Sequence, residues 1–315
     1  MKRLRALLAP FLGLVLVLGL FSALVPDSFP TAYNFRTVGT QTVVVGLGAI
    51  GMTFVIVSGG IDLSVGSVIA LSSVVAAAAL NSGLSPWLAI LAAVATGAFC
   101  GFINGILIAR LRILPFIATL GMLGIARGTA KLLTGGQKID APAGWLPDLV
   151  DKSSEGSWLG LPPGLWILFL LAWSMSAVLR STPFGLHTIA IGSNEATARL
   201  CGVHVPRTKA RIYALCGAFA GLAGVILFGR LGVGEPTAAV GLELDVIAAC
   251  VIGGASLSGG EGGMLGALIG AFLMTFLANG MNLAEVENYW QEILTGVIIV
   301  AAVALDRWRH RQALA

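Results

Sequence analysis

Apolar stretches about 20 residues long recur along this 315-residue chain, and they leave few folds open. A helix of that length satisfies its own backbone hydrogen bonds while crossing the hydrocarbon of a bilayer. Candidate spans fall at roughly 6–25, 38–57, 63–80, 86–109, 113–133, 163–179, 210–229, 241–255, 262–282 and 289–305, about ten in all. Charged residues make up 11% of the chain, against about 25% in an ordinary soluble domain. That is too few to coat a water-facing surface of this size. The expected fold class is an all-α polytopic membrane protein, with residues 1–315 forming a single transmembrane domain. The N-terminal "MKRLRALLAPFLGLVLVLGLFSALVP" has the basic start of a signal peptide. Its apolar run from Ala6 to Val25 is long enough to span, however, and no clear A-x-A cleavage pattern follows. It is expected to stay attached as the first helix.

The distribution of charge supplies the orientation. Lys and Arg collect in cytoplasmic connections, and Lys2, Arg3 and Arg5 place the N-terminus inside. Alternation then puts Arg110 and Arg112, the connection from Arg180 to Arg211, and the tail "DRWRHRQALA" on the same side. The opposite connections are acidic: one, at about 135–162, carries Asp140, Asp148, Asp151 and Glu155, and another carries Glu285 and Glu287. An even number of crossings with both termini cytoplasmic satisfies nearly every connection. The net charge of +4 is thus a record of topology, and no nucleic-acid partner is expected. Cys100, Cys201, Cys216 and Cys250 are scattered, with no C-x-x-C pair or metal spacing.

Two glycine-rich interruptions resemble each other. "SGGIDLSVGSVIAL" (Ser58–Leu71) and "IGGASLSGGEGGMLGALIG" (Ile252–Gly270) each follow an apolar run with Gly-Gly, then a hydroxyl-bearing residue, then a new apolar run. Asn81-Ser82-Gly83 and Asn279-Gly280 are expected to close the helices that follow. An internal repeat with broken helices is one reading, as in many transporters; the abundance of Gly and Ala makes coincidence the other. Within the spans, Gly97/Gly101/Gly105, Gly217/Gly221 and Gly266/Gly270 have the spacing that lets membrane helices approach closely, either statically or as sliding faces. The five letters Leu257-Ser258-Gly259-Gly260-Glu261 look like the signature loop of ATP-binding cassette ATPases. The chain has no G-x-x-x-x-G-K-[ST], so it lacks the loop that would hold a triphosphate.

Few residues suggest chemistry. Asp62 either caps the third helix through backbone N–H groups or lines a polar path at a helix break. Glu243 and Asp245 suit the first turn of the eighth span, where acidic residues complement the helix dipole. In "STPFGLHTIAIGSNEATARLCGVHVPRTKARIY", Ser193 or Asn194 is placed to cap a short helix over Glu195–Leu200 that stops at Gly202. Val205-Pro206 then breaks the chain ahead of Arg207, Lys209 and Arg211. The small residues of that short helix leave a ridge suited either to a groove on another protein or to the bilayer surface. His187, His204 and His310 share no ligand spacing, and no catalytic motif stands out.

Five blocks carry a resemblance: "AIGMTFVIVSGGIDLSVGSVIAL" (Ala49–Leu71), "NGILIARLRILPFIATLGMLGIARGTAKLLTGGQ" (Asn104–Gln137), "GLHTIAIGSNEATARLCGV" (Gly185–Val203), "GLELDVIAACVIGGASLSGGEGG" (Gly241–Gly263) and "NYWQEILTGVIIVAAVALDR" (Asn288–Arg307). In this order they resemble the branched-chain/ribose permease family, the membrane subunits of ribose-type sugar importers of the ATP-binding cassette superfamily. The resemblance implies a permease in the bacterial cytoplasmic membrane that moves a monosaccharide such as ribose, xylose or galactose by alternating access. It further implies a second permease subunit (identical or sister), a cytoplasmic ATPase that holds the ATP and Mg, and a periplasmic or lipid-anchored sugar-binding protein. No cofactor is expected on this chain. Carried onto the loop at about 181–209, the family's coupling element corresponds to Gly192, Asn194, Glu195, Ala196, Ala198, Arg199 and Gly202. The sugar path is expected near Gly59, Gly60, Asp62 and Ser64 and near Gly253, Gly254, Ser256 and Ser258, with Asn104 and Thr119 as further polar candidates. An ion-driven secondary carrier would also use broken helices, and it is the alternative. An intramembrane enzyme would need a polar catalytic set within the spans, and only isolated carboxylates are present.

Overall fold

A stretch that is apolar all round belongs in the middle of a bundle, and the second stretch is of that kind. In a computed structural model it forms α2 (Ala32–Val57), whose N-cap Thr31 accepts the Asn34 N–H at 3.2 Å. Every residue from Thr42 to Ser58 is buried. The structure describes residues 2–151 and 159–314, with side-chain surroundings for 10–151 and 159–304. The expected outer-loop residue Glu155, and the side chains of the basic termini, lie outside these.

The other helices in the first half are α1 (Lys2–Leu24), α3 (Val65–Asn81), α4 (Pro86–Ala109), α5 (Pro115–Thr134) and α6 (Pro163–Ser181). Two short helices follow, α7 (Pro183–Ser193) and α8 (Glu195–Leu200), then α9 (Val205–Leu231), α10 (Leu242–Ile252), α11 (Met264–Leu283) and α12 (Asn288–Leu314). Of these, α6, α9, α10 and α11 pack on α2. Pro at the first turn of α4, α5, α6, α7 and α9 starts each of them without losing a useful N–H. Val205-Pro206 therefore begins a helix rather than breaking the chain. A two-residue ribbon pairs β1 (Ile139–Asp140) with β2 (Val233–Gly234), Ile139 opposite Gly234. Large apolar side chains of α4, α5 and α6, among them Trp87, Phe99, Leu132 and Trp173, face outward, as lipid-facing residues do.

The expected stretches all appear as helices, with one difference in kind. Among the described residues, α2, α4, α5, α6, α9 and α11 are six helices long and apolar enough to cross a membrane. The stretch expected at 241–255 is only an 11-residue helix, about 16 Å long at about 1.5 Å per residue, or half the bilayer core. Glycine sets both its ends: Gly241 (φ +82°) precedes it and Gly254 (φ +90°) follows.

The two breaks share a geometry. After α2, the Gly59 N–H donates to Ile56 O and the Gly60 N–H to Val55 O (2.9 and 3.0 Å). After α10, the Gly254 N–H donates to Val251 O and the Ala255 N–H to Cys250 O (both 2.9 Å). Each is a helix end closed by a left-handed glycine. The expected closure at Asn279-Gly280 does not occur. There α11 continues to Leu283, because Gly280 is the flat spot against which the Phe21 ring of α1 packs.

Glycine also sets the closest helix contact. On α4, a Cβ at Gly97 would overlap Gly217 O of α9, one at Gly101 would overlap Tyr213 O, and one at Gly105 would lie 2.6 Å from Ala210 Cα. The α10–α11 contact repeats this, with Gly266 against Gly253 and Gly270 against Ala249.

Candidate transport machinery

The candidate residues and the connections fall at two ends of the bundle. One carries α7, α8 and the connection between α4 and α5; the other carries the β1–β2 ribbon and the 3-10 turn Leu146–Val150.

At the first end, Asn194 caps α8 through its Oδ1, which accepts the Thr197 N–H at 2.9 Å. Gly202 (φ +87°) closes the helix, with the Val203 N–H bonded to Ala198 O at 3.0 Å. Ala198 points inward onto a small apolar cluster of Ile191, Val203 and Val205. Ala196, Arg199 and Leu200 point outward, Leu200 with 88% of its surface exposed. Glu195 joins two partners, the Arg199 guanidinium at 3.0 Å and the Lys209 ammonium at 2.6 Å. The Lys209 hydrogen bond, ahead of the other charge contacts, holds the Glu195 carboxyl below the usual carboxylate range. Lys209 looked in the sequence like one more basic residue at a membrane border. Its role as the tie between α8 and α9 depends on a turn capped by His204, whose Nδ1 accepts the Arg207 N–H at 3.3 Å.

Gly192, the next-to-last residue of α7, touches both helix breaks. A Cβ there would overlap Val57 O and lie 2.6 Å from the Gly260 nitrogen. The Gly260 N–H itself donates to Val57 O at 2.8 Å. A Cβ on Gly259 would lie 2.9 Å from Gly192 Cα and 3.0 Å from Gly59 Cα. Three glycine backbones thus pack directly on one another where the outward-facing helix pair meets the two breaks. The sequence showed three separate glycine motifs; only the fold brings them together.

Three of the other polar candidates, Asp62, Ser64 and Asn104, form one knot. Asp62 Oδ1 accepts the Ser64 N–H at 2.9 Å and the Ser64 hydroxyl at 2.5 Å, and the Asn104 amide donates to Ser64 Oγ at 3.1 Å. All three side chains are buried. Tyr213 covers Gly60 from α9 and donates to Ile61 O at 3.5 Å. Asp62 therefore bonds the N-cap residue of α3, Ser64, and not the N–H groups of the helix's first turn, so it is not the cap expected. Thr119 is buried on α5 but turns its hydroxyl back to Pro115 O at 2.9 Å, and is not joined to the knot. In the second break, Ser256 is buried, Gly253 packs on Gly266, and the Ser258 N–H donates to Ser256 Oγ at 3.3 Å; Ser258 and Gly254 are exposed.

Toward the ribbon end, the chain entering α10 is held by Arg127 of α5, which donates to Pro236 O at 2.8 Å and Ala238 O at 2.6 Å. Glu243 and Asp245 do occupy the first turn of α10. Glu243 lies against Gly66 of α3, and Asp245 lines a cavity of 260 Å³ between α2, α9, α10 and α11. None of the path residues expected from the sequence lines that cavity.

The family model described as branched-chain amino acid transport system / permease component matches residues 34–303. The ribose import permease protein RbsC of Escherichia coli is 42% identical over 298 residues, which are 94% of this chain and 92% of that protein. RbsC of Bacillus subtilis is 43% identical over 306 residues, covering 95% and 92%. The L-arabinose transport system permease protein AraH of Escherichia coli is 37% identical over 299 residues, covering 94% and 89%. No solved structure matches the chain.

Proposed function

Because this chain belongs to the branched-chain amino acid transport system / permease component family, we propose that it is the membrane subunit of an ATP-binding cassette importer for a monosaccharide. The observation that carries the reading is coverage: relatives named as ribose and L-arabinose permeases align along 94–95% of the chain. It is a multi-pass protein of the bacterial cytoplasmic membrane and a transport subunit, not an enzyme.

The finer assignments rest on geometry and charge. The whole chain acts as one transmembrane domain. The α7–α8 end faces the cytoplasm, because Arg110, Arg112, Arg180, Arg207 and Arg211 gather there. The ribbon end, with Asp140, Asp148 and Asp151, faces outward. Ten passes with both termini inside satisfy this distribution, the eighth being the half-length α10 continued by its glycine break. The ridge of Ala196, Arg199 and Leu200 seats in a cytoplasmic ATPase, which holds the ATP and its Mg²⁺. A sugar-binding protein delivers cargo at the ribbon end, and a second permease subunit completes the transporter. Closure of the ATPase pair pushes α7–α8, and Gly192 passes that movement to both helix breaks.

Co-purification tests the coupling surface. The chain is expected to bring down an ATPase from its own cells, and Ala196→Asp or Arg199→Glu is expected to abolish that without changing yield in the membrane. A complex that survives both substitutions overturns the assignment of this ridge.

A further inference from the structure

Three polar side chains converge on the 260 Å³ cavity without a hydrogen bond or ion pair of their own among the described residues. They are Gln41 of α2, Arg230 of α9 and Asp245 of α10. Each is partly buried. Their polar atoms open onto the cavity, so donors and acceptors are available there to a polar occupant. Thr275 of α11 adds a hydroxyl that already donates to Ala271 O at 2.8 Å, leaving it free to accept. The rest of the wall is apolar, with Val45, Leu227 and Met274.

Arg230 belongs to two cavities at once. On its other side a cleft of 470 Å³ runs past Tyr33, Asp148 and Asp151 at the ribbon end. Arg230 is thus shared by an acidic outer cleft and the deeper cavity. The helix stops just beyond it, at Gly232 (φ +71°).

Resting on the importer reading above, we propose that the deep cavity is a holding site for one neutral monosaccharide, entered from the outer cleft past Arg230. The chemistry of the lining fits that class. A sugar hydroxyl both donates and accepts, and the wall supplies guanidinium and amide donors together with carboxylate, amide and hydroxyl acceptors. One cation and one anion leave the wall with no net charge, which suits a neutral ligand over an acid or a phosphate ester. The apolar side chains meet the C–H face of a ring. At 260 Å³ the space falls just below the range of about 300–1,000 Å³ common for drug-sized ligands, so it accommodates a single sugar ring rather than an oligosaccharide.

The test uses the full importer, this chain with its ATPase and binding protein, in proteoliposomes. The first measurement is ATP-driven uptake of D-ribose, L-arabinose, D-xylose and D-galactose. Asp245→Asn and Arg230→Met are expected to cut uptake of the transported sugar by about tenfold or more, while the loaded binding protein still stimulates ATP hydrolysis. The second measurement is labelling of Thr275→Cys and, separately, Gln41→Cys by a membrane-impermeant methanethiosulfonate, with the unsubstituted chain correcting for Cys201. Millimolar transported sugar is expected to slow labelling several-fold, and Asp245→Asn to remove that protection. The holding site is overturned by uptake at the unsubstituted rate in both Asp245→Asn and Arg230→Met. It is equally overturned if neither cysteine is labelled, or if labelling ignores sugar in a chain that still transports. If the unsubstituted importer moves none of the four sugars, the monosaccharide reading itself fails, and that result differs from any of these.

Discussion

Gly192 leaves no room for a side chain, since any Cβ would drive into the Val57 carbonyl and the Gly260 nitrogen. Gly192→Ala must therefore push α7 away from both breaks. The expected outcome is a chain that still binds the ATPase and responds to loaded binding protein with ATP hydrolysis, while sugar uptake falls by more than tenfold. Uptake at the unsubstituted rate would show that movement does not pass through this contact. Glu195 gives a residue-scale prediction in pH. Its carboxyl is held low mainly by the Lys209 hydrogen bond, so its stabilising contribution is fully present above the ordinary carboxylate pKa of about 4.3. That contribution is lost only as pH falls through the lower folded value. Both partners are partly exposed, which limits the pair to less than about 1 kcal/mol. Hydrogen exchange at the α8 amides is expected to stay flat from neutral pH to about pH 5, after allowance for intrinsic rates, and to rise only below the carboxylate range. Lys209→Ala should move that rise upward in pH.

At the scale of the element, the α4–α9 contact is made by backbone against backbone. Gly101→Val or Gly217→Val inserts a branched side chain where not even a Cβ fits. Each is expected to cost about 1–3 kcal/mol or more, read as a lowered thermal midpoint of the detergent-solubilised chain. A substitution at Gly121, whose Cβ would meet nothing within 4 Å, should leave the midpoint nearly unchanged. These helices were legible in the sequence because bilayer thickness fixes helix length and close packing demands small residues at fixed spacing. The half-length α10 was harder to read, since hydropathy carries on smoothly through Gly253 and Gly254 while the backbone does not. Asn279-Gly280 misled for the opposite reason: a glycine inside α11 serves the Phe21 ring, and local composition cannot tell a packing glycine from a terminating one. The short helix α8 was readable from Asn194 and Gly202, a cap and a stop, whereas α7, begun by Thr182 and Pro183, was read only as connection. The cavity was not, because Gln41, Arg230, Asp245 and Thr275 come from four helices far apart in the chain and form no local motif.

At the scale of the molecule, the glycine breaks connect the α7–α8 ridge with the helix that lines the cavity. Gly192 joins the ridge to the breaks, and the second break leads directly out of α10, which carries Asp245. Such an arrangement lets nucleotide-driven closure at one end change the shape of a site near the other, with no chemistry performed by this chain. An ion-driven carrier built on the same helices would need no partner at all, so the two mechanisms separate cleanly in a reconstituted system. The measurement that tests the account most directly is uptake of labelled pentose into proteoliposomes, comparing this chain alone under proton or sodium gradients with the chain joined to its ATPase and binding protein. The account predicts no uptake by the chain alone, and uptake that requires ATP inside or outside according to how the ATPase is oriented. Gradient-driven uptake by the isolated chain, undiminished when ATP and the ATPase are withheld, would contradict it.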